Sequence, residues 1–169
     1  LRLSGRRDFL RWNADDADWA DEEGFEEFLL QKKPNNFDLF TKPMLHEELT
    51  KQIIGAFYSV YNTLGYGFLE KVYHNALLLE LRSLGLQYDS QRSITVYYKD
   101  NIVGEYIPDI IVNNLVICEQ KVVSTLSPDH EAQLINYLRA TPIEVGLLLN
   151  FGAQPEFRRK AFSNSNKKL

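Results

Sequence analysis

An α/β domain, with a mixed central sheet flanked by helices, is the fold this sequence predicts, and three observations predict it. Two stretches carry apolar residues at helical spacing: Leu49, Ile53, Ala56, Phe57, Val60 and Leu64, then Val72, Tyr73, Ala76, Leu77 and Leu81. Three strand-like runs follow, each separated from the next by turn residues. A Ser-Pro helix start and a short apolar run then close the pattern, as a crossover helix leading to a buried strand would.

The elements follow in order. The first helix begins near Met44 and stops at Gly65; the second runs from about Leu69 to Leu84 and closes at Gly85. Ser93 to Lys99 alternates as a strand, and Lys99-Asp100-Asn101 turns it into a second strand, Ile102 to Val112. An Asn113-Asn114 turn leads to a third, Leu115 to Val123, which makes three antiparallel strands. Ser127 caps a helix with Pro128 in its first turn, reaching about Ala140. Val145 to Asn150 is expected beside the third strand through a right-handed crossover, Phe157 to Phe162 as an edge strand, and Asn164 to Leu169 as a polar tail.

Residues 1–43 have a different texture, with both tryptophans, a polar run from Asn13 to Glu27 and a Pro34-Asn35-Asn36 break. The expected division is an N-terminal extension over 1–43 and a body over 44–169, Met44 marking the start of the regular pattern.

The chain is organised around Tyr106 to Val123, where Asp109, Glu119 and Lys121 sit among residues that otherwise favour burial. An unpaired buried carboxylate costs several kcal/mol, so these charges need partners. Strand alternation puts Glu119 and Lys121 on one face and Cys118 and Gln120 on the other. Asp109 joins Glu119 only if the intervening loop has an odd number of residues. A three-residue loop, Val112 to Asn114, places Asp109 opposite Ile117 and diagonal to Glu119, about 7–8 Å away along the backbone. A strict two-residue Asn-Asn turn separates them onto opposite faces. Two explanations stand: a bound metal ion, or an Asp-Lys-Glu cluster that stabilises a half-exposed sheet.

The 169 residues suit one domain with an appendage. A single cysteine, Cys118, excludes an internal disulfide framework and reads as a core thiol in a protein of a reducing compartment. No apolar run approaches the roughly 18 residues of a membrane span, and the N-terminus lacks a signal-peptide core, so a soluble cytoplasmic protein with no membrane partner is expected. The net charge of -4 argues against a general electrostatic nucleic-acid binder. Its distribution is uneven: residues 1–43 carry seven Lys/Arg and ten Asp/Glu, and residues 44–169 carry twelve and thirteen. A near-neutral body leaves room for a local basic groove.

Gly67-Phe68-Leu69-Glu70-Lys71-Val72-Tyr73 matches the pattern that names the GxxExxY family, and the body resembles that family throughout. The matching segments are Tyr106 to Val112, Glu119-Gln120-Lys121, His130 to Tyr137 and Val145 to Gly152. The resemblance implies a PD-(D/E)XK restriction-endonuclease-like core, αβββαβ with one extra leading helix. It implies that Asp109 is the motif aspartate, that Glu119 and Lys121 form (D/E)xK, and that Glu70 is the first-helix acid. Gln133 and Tyr137 match the QxxxY of the RecB-like branch. Gln120 departs from the commoner aliphatic residue.

Expected from the resemblance are catalysis by Glu70, Asp109, Glu119 and Lys121 and metal binding by Asp109, Glu119 and Glu70. Tyr73, Gln133 and Tyr137 are the expected substrate contacts. The ion is Mg²⁺, with Mn²⁺ as the other candidate, and the partner is nucleic acid, DNA ahead of RNA. The leading functional expectation is a metal-dependent phosphodiesterase. The alternative is a catalytically idle nuclease fold kept as a nucleic-acid-binding or protein-interaction module. An Asp109–Glu119 acid-base pair acting on another substrate fits Lys121 less well. Oligomeric state is left open, a homodimer included.

Overall fold

Helical periodicity in the sequence becomes two packed helices in a computed structural model that describes residues 44–167. The first, α1 (Glu47–Leu64), buries Ile53, Ile54, Ala56, Phe57 and Val60, and α2 (Glu70–Ser83) buries Tyr73, Leu77 and Leu81. Each set falls on one stripe at the i, i+3, i+4 spacing, which is why both helices lie on the same side of the sheet. The extension expected over residues 1–43 lies outside the described residues.

Seven strands follow: β1 (Tyr88–Ser90), β2 (Ile94–Tyr98), β3 (Asn101–Tyr106), β4 (Ile110–Val112), β5 (Val116–Lys121), β6 (Val145–Asn150) and β7 (Glu156–Ala161). Helix α3 (Pro128–Arg139) joins β5 to β6, and a short 3-10 turn spans Asn164–Asn166. The central sheet has the order β1-β4-β5-β6-β7, with β5 and β6 parallel and the other neighbours antiparallel. This is a mixed sheet flanked by helices, the architecture expected.

Two strand expectations are corrected. The run Ile102 to Val112 is not one strand; it breaks at Ile107-Pro108-Asp109 into β3 and β4. Pro108 has no N–H for a ladder and fixes its own φ, so an interior strand cannot continue through it. The hairpin of β2 and β3 therefore forms a separate two-stranded sheet. Its place at the edge of the central sheet is taken by β1, whose Tyr88, Asp89 and Ser90 pair with Val112, Ile111 and Ile110.

Alternation along the strands divides the core into two layers. Val116 and Cys118 of β5 face α1 and α2, together with Ile110, Leu147 and Leu149. Ile117 faces α3, with Ile111, Leu148, Leu134 and Leu138. Burial pushes the Cys118 thiol up, as befits a core group on the helix-pair side. Gly146 lets α3 come close: a Cβ there would meet Leu134 Cδ1 at 2.7 Å. Arg158 and Lys160 of β7 tie to Glu131 and hold the outer side of the same helix. Among the described residues, no helix is long and apolar enough to cross a membrane.

Candidate active site

The turn between β4 and β5 decides which side chains meet. Asn113 and Asn114 both have positive φ, 51° and 56°, and Leu115 N donates to Val112 O at 2.9 Å. Asn tolerates this left-handed conformation better than most residues, which suits it to a tight primed turn. Yet the strand register pairs Val112 with Val116, so Leu115 is an extra residue and the loop is 113–115. The odd parity is as expected, but the loop sits one residue later than Val112 to Asn114. Continuing the register one step puts Asp109 in line with Glu119 rather than Ile117.

Both carboxylates thus lie on the α3 face, with Lys121 two residues beyond. Asp109 is fixed by two contacts: its Oδ2 accepts from Gln120 N at 2.7 Å, and its carbonyl accepts from Gln91 N at 3.1 Å. Lys121 Nζ donates to Glu119 Oε1 at 2.7 Å. Glu119 is only 3% exposed, and its other oxygen, Oε2, is buried with no hydrogen-bond partner. Burial first, then the Asp109 carboxylate, pushes the Glu119 acid up to about 7, while the Lys121 ammonium pulls it back. A buried oxygen of this kind is chemically suited to accept from a donor or to ligate a cation.

Helix α3 brings two further expected residues to the same place. Its start is set by a capping box in which Ser127 Oγ accepts from His130 N and Ser127 N donates to His130 Nδ1. One turn apart, Gln133 Nε2 donates to Tyr137 Oη at 2.8 Å. Tyr137 is buried, and its phenol is pushed up by burial and then by the Glu119 and Asp109 carboxylates, which places it within their field. Tyr106 covers it edge to face, ring centroids 5.4 Å apart.

The other two expected residues are elsewhere. Tyr73 does not line the site: it is fully buried on the helix-pair side, stacks on Phe151 at 4.6 Å, and donates its hydroxyl to Gly65 O at 2.7 Å. Its role is packing. Glu70 is exposed in the first turn of α2, where the helix dipole favours an acid, and it does not join Asp109 and Glu119. Among the described residues no three of His, Cys, Asp and Glu come together as a metal-ligand group.

Three supporting residues were given no role from the sequence. His74 Nδ1 lies 3.0 Å from Gln120 Oε1 and His74 Nε2 lies 2.9 Å from Ser90 Oγ, pinning the back of β5 to α2 and β1. Asn150, buried at the end of β6, accepts from Val123 N at 3.0 Å and donates to Val123 O at 2.9 Å, so its amide replaces a strand neighbour just past Lys121. Gly152 lies so close that a Cβ would meet Val123 O at 2.0 Å. Only the Asn-Phe-Gly end of the apolar run offered a sequence signal for these clamps.

Paired carboxylates, a lysine on the same strand face and a capped helix over a mixed sheet define the class as a nuclease-like α/β domain. A family model described as the PD-(D/E)XK nuclease superfamily matches residues 47–160, and the chain belongs to that superfamily. Nuclease-like function on nucleic acid, generally with divalent metal ions, goes with the superfamily. No curated protein matches the chain. Among solved structures, the crystal structure of SSO0001 is similar at 17% identity and a TM-score of 0.46, over 82% of this chain and 78% of that one.

Proposed function

We propose that this chain is a Mg²⁺-dependent phosphodiesterase that hydrolyses the backbone of nucleic acid, DNA ahead of RNA, with Mn²⁺ as a substitute ion. Within the superfamily we assign it to the GxxExxY family, on the Gly67 to Tyr73 segment. The observation that carries the function is the Glu119 oxygen buried without a partner beside a second carboxylate. Two such carboxylates fit a hard divalent cation that takes oxygen ligands and keeps several waters. Asp109 and Glu119 would hold it; Glu70 is assigned no direct bond to the ion. When bound, the cation supplies Lewis-acid polarisation of the phosphodiester and neutralises its charge.

The chain's own groups then divide the remaining work. Lys121, held at Glu119, donates to a phosphate oxygen and orients the attacking water, whose oxygen forms the new P–O bond as the ester P–O bond breaks and whose proton ends on the departing ester oxygen. Gln133 donates to the Tyr137 oxygen, which leaves the phenol proton available to a phosphate oxygen. Neither contact reads a base; both fix the register of the backbone. By the same proposal the protein acts in the cytoplasm, and residues 1–43 stand outside the catalytic body at 44–169.

Incubation of the purified chain with labelled single- and double-stranded DNA and RNA, in Mg²⁺, Mn²⁺ or EDTA, tests the function. Cleavage that needs the ion is expected. No cleavage with any ion overturns it in favour of an idle fold, which the Lys121–Glu119 ion pair supports because it already neutralises part of the site.

A further inference from the structure

Among the described residues, the hairpin of β2 and β3 makes its ladder only with itself, since the central sheet contains neither strand. Its base is anchored: Ile94 is buried against Ile111, Leu134 and Leu138, and its pair, Tyr106, covers Tyr137. Beyond the base the hairpin is bare, with Tyr97, Tyr98, Ile102 and Val103 at 64%, 62%, 64% and 60% exposure. So large a run of exposed apolar and aromatic surface on one small element calls for an occupant.

Two observations choose that occupant. The hairpin is continuous with the candidate active site, because Tyr106 touches Tyr137 and Tyr137 lies in the field of Glu119 and Asp109. Tyr98 shares the strand face of Ile94 and Tyr106 and lies four residues beyond Ile94, about 13 Å along the strand, so a substrate strand leaving the site can lie on the arm, while Tyr97 is on the opposite face. Charge then excludes a long duplex as the best fit. Duplex binding draws on an excess of free cations, whereas residues 44–169 carry twelve Lys/Arg against thirteen Asp/Glu, and Lys121 at the site is ion-paired. Aromatic faces bind exposed bases without needing that charge, and Lys99 Nζ, 5.3 Å from the Tyr98 ring centroid, puts one cation beside a stacking surface.

We infer that the β2–β3 hairpin is an arm that receives unpaired nucleic acid, with Tyr98 stacking on its bases while the backbone enters the carboxylate pair. The inference rests on the phosphodiesterase proposal for the site, and it narrows the substrate to a single strand or an unpaired end.

The test uses the full chain, a labelled oligothymidylate and a duplex of the same length, with binding measured in EDTA and cleavage in Mg²⁺. Tyr98→Leu keeps apolar bulk but removes the ring; Tyr98→Phe keeps the ring. The Leu variant should weaken single-strand binding by roughly tenfold or more, the Phe variant should retain it, and duplex binding should change little. Cleavage by the Leu variant should fall through KM with kcat retained. Unchanged single-strand binding by the Leu variant overturns the arm while leaving the phosphodiesterase intact if the wild type still cleaves. Loss of binding in the Leu variant with no cleavage by the wild type keeps the arm and overturns the phosphodiesterase. A wild-type dimer that becomes monomeric in Tyr97→Asp would make the arm a contact between copies and overturn this assignment.

Discussion

Glu119→Gln isolates the cost of the buried charge. The folded protein holds this acid at about 7 against an ordinary value of 4.5, which at ~1.4 kcal/mol per pH unit corresponds to roughly 3 kcal/mol. Because the folded value is raised, the folded state binds the extra proton between the two values. That stability is fully present below about pH 4.5 and is lost as pH rises through about 7. In EDTA, the wild type should lose up to roughly 3 kcal/mol between pH 5 and pH 8 from this group, or several degrees of Tm in a chain of this size. Gln keeps an oxygen for the Lys121 ammonium and has no charge to desolvate, so its curve should lack that component. Saturating Mg²⁺ at pH 8 should restore the wild type and leave Glu119→Gln unmoved. Urea unfolding at a series of pH values, with and without the ion, measures both differences. Parallel pH curves for the two proteins would refute the reasoning, since Lys121 alone would then be compensating Glu119.

Asp109→Asn should abolish divalent binding in calorimetry and any cleavage while preserving the fold, because Asn still offers an oxygen to Gln120 N. Equal binding by wild type and variant would make the cluster structural. Lys121→Ala should keep the ion but lose turnover, by about 10²-fold or more if the lysine acts on water and phosphate; an unchanged kcat would remove that role. Gln133→Ala should weaken substrate binding with metal affinity unchanged, and a loss of metal affinity in calorimetry would contradict the separation of roles. A chain beginning at Met44 should melt cooperatively, and a broad, non-cooperative transition would mean that the body needs residues 1–43.

The helices and the central apolar strands were legible because each follows a local rule. Ile53, Phe57 and Val60 share one helical stripe, and Val145 to Asn150 is an apolar run with a capped helix before it. The carboxylate pair was legible as parity, since Asp109 and Glu119 either share a face or do not. What escaped was set by partners far along the chain. Tyr73 has a plausible helical position near an acid, but Phe151, which it stacks against, is remote in sequence. Strand β1 has three residues and only one apolar side chain, so no alternation announces it. Pro108 was a readable signal for the break in the long strand, because a proline there leaves the ladder short of a donor. The His74–Gln120 contact joins helix to strand across the sheet and has no local signature.

Leu115 is 40% exposed and takes no part in the chemistry, yet its presence as one more residue in the Asn-Asn turn fixes the sidedness of the site. Its identity and its existence therefore have different consequences. Exchanging the leucine for serine or lysine alters a patch of surface. Deleting it would turn β5 over, moving Glu119 and Lys121 against Phe57 and Tyr73 and sending Cys118 out toward α3. The hairpin tolerates changes of spelling but not of length, so a gene that drifts freely at this codon would still be intolerant of its loss.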